Sequence, residues 1–139
     1  MQFKNIHIGS VINQRVEECK MEMPRICSFF KRREEEIEKM YQAESLDSEL
    51  LLRWSKLLDY DFFRIYSQHL ILYSPQTKGK DTQLMNINLE TPHFRKNIYT
   101  KELIDFILEL LKKHEKTITQ VIDEYRIPKS TLYRWIKKY

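Results

Sequence analysis

"TITQVIDEYRIPKSTLYRWIKKY", residues 117–139, decides how the rest of the chain is read. Thr117 and Gln120 stand at capping-box spacing, in which a hydroxyl accepts from a backbone N–H of the first turn and an amide side chain reaches back to the cap, so a helix opens there. Val121, Ile122 and Tyr125 then recur at helical spacing and give that helix an apolar side. Pro128 ends it, because proline has no backbone donor and biases Ile127 away from helix. A last helix is expected from about Lys129 to Lys138, with Leu132, Trp135 and Ile136 on the side that faces its neighbours. Lys129, Ser130, Tyr133, Arg134 and Lys137 are left on the opposite side, with Thr131 beside them.

The segment just upstream, "TKELIDFILELLKKHEK" at 100–116, supplies the helix that such a pair needs for its core. Thr100 is its N-cap, Leu103, Ile104, Ile107, Leu108 and Leu111 form one face, and Lys112 and Lys113 complement the negative end of the helix dipole. Helix, short turn, helix, with a preceding helix over the core, is the layout of a helix-turn-helix unit. The outward residue types fit a nucleic acid: arginine pairs with guanine through two hydrogen bonds, serine and tyrosine donate to phosphate, and lysine adds salt-sensitive attraction.

Working toward the N-terminus, residues 74–98 hold two of the four prolines, Gly79 and many Asn, Gln and Thr, and read as a linker. Within it "LMNINL" at 84–89 alternates loosely, as a short strand or docking segment would, although solvated coil is the expectation. Residues 1–73 read as five short helices. Ile8, Val11, Ile12, Val16 and Cys19 make the first stripe, and Pro24 opens a second helix with Ile26, Cys27 and Phe30 inward and "KRR" at 31–33 near its end. Ile37, Met40 and Tyr41 mark a third helix. A fourth follows an Asp47 or Ser48 cap with Leu51, Trp54, Leu57 and Leu58 buried, and a fifth runs from Asp61 to about Leu72 with Phe62, Ile65, Tyr66 and His69 on one side. The fold class is therefore all-α, with two small helical domains: a five-helix bundle over 1–73 and a three-helix unit over 99–139.

Composition agrees: 42% hydrophobic residues support a folded chain, and two glycines are too few for the turns of an all-β protein. Net charge is +4, made of −1 over residues 1–73, +2 over 74–98 and +3 over 99–139, so the basic part is the C-terminal one. Cys19 and Cys27 are too few for a disulfide framework and are expected to be buried, reduced thiols. The first residues lack the apolar core of a signal peptide and "LILY" at 70–73 is too short to span a bilayer, so the expected address is the cytoplasm with no membrane partner, and with DNA as the expected partner, the nucleoid. His7, His69, His93 and His114 lack ligand spacing, and no P-loop, HExxH or carboxylate triad on a strand-rich core is legible, so neither a metal, a cofactor nor an enzyme activity is expected.

Residues 117–139 resemble the helix-turn-helix of bacterial transposases and invertase-type recombinases, chiefly in "TLYRW" and the apolar stripe before it. That resemblance implies that the early residues of the last helix enter the major groove of double-stranded DNA, here Lys129, Ser130, Tyr133 and Arg134. It also implies a role as the DNA-recognition component of a transposable element, with catalysis supplied by a separate transposase chain. Arg126 departs from it, standing where the family has a glycine in left-handed backbone; a side chain there costs on the order of 1 kcal/mol, and a turn of different shape is expected. The N-terminal half resembles phage-repressor-like five-helix domains in "IGSVINQR" and "LLLRWSKLLDYDFF". In those the third helix reads the groove, but Glu34, Glu35, Glu36 and Glu38 would repel phosphate here, leaving Arg32 and Arg33 as backbone contacts, or a role in homodimerisation or partner docking. Two other readings stand beside this one: a transcription regulator unconnected with transposition, and a protein-interaction adaptor in which Trp135 and Tyr139 are contact anchors.

Overall fold

Side-chain caps set where several helices begin. In the computed structural model, which describes residues 3–74, 90–92 and 99–139, Asp47 accepts from Leu50 N at 2.8 Å and Thr100 from Leu103 N at 3.3 Å. Thr117 and Gln120 form the full capping box, with Gln120 N donating to Thr117 Oγ1 at 3.2 Å and Thr117 N to Gln120 Oε1 at 2.9 Å. His7 caps the first helix, its Nδ1 accepting from Ser10 N at 3.1 Å, a use of histidine that the periodicity does not announce. Among the described residues there are eight helices and no strand. They are α1 (Ile8–Cys19), α2 (Met23–Phe30), α3 (Glu34–Gln42), α4 (Ser48–Leu58), α5 (Phe63–Tyr73), α6 (Lys101–Lys112), α7 (Ile118–Tyr125) and α8 (Lys129–Lys138). The strand or docking expectation at 84–89 lies outside the described residues.

Their ends show how a glycine-poor chain turns. Lys20, Lys31, Asp59 and Arg126 cap α1, α2, α4 and α7 in left-handed backbone, with φ of 53°, 54°, 48° and 50°, and His114 follows α6 at 56°. The bonds that close such ends are made: Met21 N donates to Val16 O, Arg32 N to Cys27 O and Tyr60 N to Ser55 O, at 3.1 to 3.2 Å. The α7–α8 turn therefore keeps the left-handed shape that a glycine would give, with Arg126 bearing the strain, contrary to the expectation of a different turn.

The chain divides into two compact units, Gln2–Ser67 and Gln68–Tyr139. In the first, α1 packs on α3 and α4, and α2 on α3. Trp54 is the centre, fully buried, with its ring 4.5 Å from Phe30 and 5.9 Å from Tyr41, and its Nε1–H donating to Met40 Sδ at 3.3 Å. Gly9 lets α1 meet α3 at backbone distance: its N–H donates to Ala43 O at 3.0 Å, and a Cβ would lie 2.4 Å from the carbonyl oxygens of Met40 and Tyr41. The "KRR" run spans the turn from α2 to α3. Lys31 is the C-cap of α2, Arg32 lies in the turn, and Arg33 is the N-cap of α3, whose first turn holds Glu34, Glu35 and Glu36. Contrary to the expectation of buried thiols, Cys19, the last residue of α1, is exposed and Cys27 of α2 is half-buried, both as free thiols.

The division falls within α5, earlier than the composition shift after Tyr73. Phe62, just before α5, and Ile65 in its first half are buried, whereas Gln68 and Leu72 belong to the second unit. Gln68 is buried on this helix beside Ile65 and Leu72, whereas Tyr66 and His69, which the sequence reading placed inward, are half-buried. Its Oε1 accepts from Thr100 N at 3.2 Å and from Thr100 Oγ1 at 3.3 Å, which ties α5 to the start of α6. Tyr73 meets Tyr125 edge-on at 6.5 Å, and burial raises its phenol pKa.

Candidate nucleic-acid interface

The second unit builds its outward face from α8. Leu103 and Ile107 of α6, Val121 of α7, Ile127 of the turn and Leu132 of α8 are at most 1% exposed, so the turn residue is itself part of the core. Trp135 is buried at 5% exposure and is met edge-on by Tyr99 at 4.9 Å. Burial raises the Tyr99 phenol pKa. These contacts fix α8 by one side, and α6 packs against it.

The other side carries the residues picked out by sequence. Lys129, Ser130, Tyr133, Arg134 and Lys137 are all exposed, while Thr131 is half-buried at the rim. At 100° per residue, Ser130, Arg134 and Lys137 lie at the middle of this arc, opposite Leu132 and Trp135. The Lys129 ammonium sits 5.8 Å from the centroid of the Tyr133 ring, close enough for a weak cation–π contact. From residue 126 to 139 there are five Lys or Arg and no Asp or Glu. The described ion pairs engage Arg15, Arg64, Lys113 and Lys116, and none of them uses a cation of α8. Of the carboxylates just upstream, Glu124 is held by Lys116, whose ammonium also lies 5.3 Å from the Tyr125 ring.

Two placements differ from the sequence reading. Ile136, expected in the apolar stripe, is 41% exposed, on a flank of α8 that α6 and α7 approach without closing over it. Trp135, an anchor in the adaptor reading, is committed to the core, whereas Tyr139 is 53% exposed. Arg126 is a residue that the sequence reading treated only as a turn problem: exposed and cationic, it stands immediately before the outward arc. Its signal was available as a positive charge next to a proline-marked turn. Arg32 and Arg33 are exposed in the first unit, in the α2–α3 turn, and Glu34 to Glu36 follow them directly.

Known proteins offer no match. Neither a protein family, nor a curated protein, nor a solved structure matches this chain. The functional reading therefore rests on the geometry of the second unit. Among the described residues no three His, Cys, Asp or Glu side chains converge as metal ligands would, and no helix is long and apolar enough to cross a membrane.

Proposed function

We propose that this chain binds double-stranded DNA sequence-specifically and without catalysis, through α8, as the DNA-recognition component of a transposable element. The observation that carries the DNA reading is the outward arc of α8: Lys129, Ser130, Tyr133, Arg134 and Lys137 are exposed on a helix anchored from behind, in a stretch with no carboxylate side chain. Such an arc can place cations on phosphates while the first turns of the helix meet base edges in the major groove. The link to transposition rests on the resemblance of "TLYRW" and its preceding stripe, and a separate chain would supply the strand chemistry. Arg32 and Arg33 are secondary phosphate contacts in this reading.

Selection of bound sequences from a random duplex pool, followed by anisotropy titrations across salt, tests the proposal. Each phosphate-binding cation contributes about 0.9 to the slope of log K against log salt, so Lys129→Ala should flatten the slope by about 1. Arg134→Ala should relax the base preference at one position. Unchanged affinity of the double variant carrying both changes at moderate salt would remove the groove-reading model. Terminal inverted repeats among the selected sequences support the transposon role, and promoter-like operators would support a transcription regulator. Palindromic sites with half-sites about one helical turn apart would indicate a homodimer.

A further inference from the structure

We infer that the second unit holds a binding site for a small amphipathic carboxylate, at the end of α6 and away from the arc of α8 described above. The C-terminal part of α6, the α6–α7 connection with the start of α7, and the last turn of α8 line a half-open cavity of about 430 Å³. That volume lies within the range of small-molecule sites, roughly 300 to 1,000 Å³. Its floor is apolar: Leu108, Leu111 and Ile118 contribute side chains from the two earlier helices, and Ile136 from α8. This explains the exposure of Ile136, which faces the cavity instead of a neighbouring helix.

The cavity's polar lining is Lys112, His114, Lys116 and Thr117, with two ammonium groups and no carboxylate side chain, while Asp105 and Glu109 line a second groove that shares Lys112. Lys116 is partly neutralised by Glu124, so Lys112 is the principal free cation at the mouth. An apolar floor with an ammonium at its rim suits a ligand that has a hydrocarbon body and one negative end, because the chain leaves water while the carboxylate stays at the charged edge. A neutral hydrocarbon would forgo the ammonium, and a small bare anion would forgo the floor. The site does not depend on α8 binding DNA, so the two proposals stand or fall separately.

The test uses the full chain titrated with decanoate, decanol and acetate, followed by amide chemical shifts and calorimetry. Saturable decanoate binding that moves the resonances of Leu108, Leu111, Ile118 and Ile136, with at least tenfold weaker binding of decanol and of acetate, is the expected result. Ile136→Glu, at an exposed position, should weaken decanoate at least tenfold with the helical spectrum unchanged. Should that variant misfold, Lys112→Glu at the exposed end of α6 should do the same. Decanol binding as tightly as decanoate, acetate binding equally well, shifts confined to other residues, or no saturable binding would each overturn the inference.

Discussion

At residue scale, Tyr41 and Arg126 each carry a local cost that the surrounding structure sustains. The Tyr41 hydroxyl is buried with no hydrogen-bond partner among the described residues. An unpaired buried polar group costs on the order of 1 kcal/mol, so Tyr41→Phe should stabilise the first unit by about that amount in urea denaturation. Burial first, and Glu38 next, push the Tyr41 phenol from 10.0 up to about 12. The folded state thus keeps the proton longer than the unfolded one. Stability is unaffected below about pH 10 and falls as pH rises toward about 12, and Tyr41→Phe should remove that part of the fall. At Arg126, Arg126→Gly should relieve left-handed strain and raise the stability of the second unit by up to about 1 kcal/mol in thermal melts. It should at the same time weaken duplex binding under the proposed function, since a cation beside the outward arc is lost. Opposite signs in the two measurements distinguish a residue kept for its charge from one that is merely tolerated.

At the scale of elements, the helix starts were legible because their chemistry is local. Thr100, Asp47 and the Thr117–Gln120 pair cap the helices that their spacing announces, and the stripe of α3 is buried as read, while those of α6 and α7 are buried except for half-buried Leu111 and Ile122. What periodicity withholds is how far along a helix its neighbours extend. Cys19 and Ile136 lie at the ends of their helices, in step with the stripe, yet nothing covers them fully. The outward residues of α8 were legible for the same reason that Ile136 was not: opposite the core the arc is free whatever the neighbours do. The role of Gly9 was also invisible, since it depends on the carbonyls of Met40 and Tyr41 far along the chain. A Cβ cannot fit there without moving backbone, so Gly9→Ala should cost about 3 kcal/mol, the upper end for overpacking, and should lower the denaturation midpoint of the first unit.

At the scale of the whole molecule, composition marks where the chain stops looking helical, and packing marks where one core gives way to another. These differ at α5, because Gln68 and Tyr73 are helical residues whose partners, Thr100 and Tyr125, lie beyond the linker. A fragment over 99–139 keeps the helix-turn-helix pattern but loses those contacts and buried Leu72, and it falls below the roughly 50 residues at which a domain becomes self-sufficient. A fragment over 63–139 should therefore melt cooperatively at a clearly higher temperature by circular dichroism than one over 99–139. Equal melting of the two would show that α5 adds nothing to the second unit.

The exposed end of α1 has a practical consequence. Both of the chain's thiols lie in the first unit, and Cys19 is open to solvent while Cys27 is half-covered. Brief maleimide treatment should favour Cys19, giving a fluorophore or spin label on the first unit without any engineered attachment point. A donor placed there and an acceptor on a duplex would report the distance between the first unit and the bound site directly.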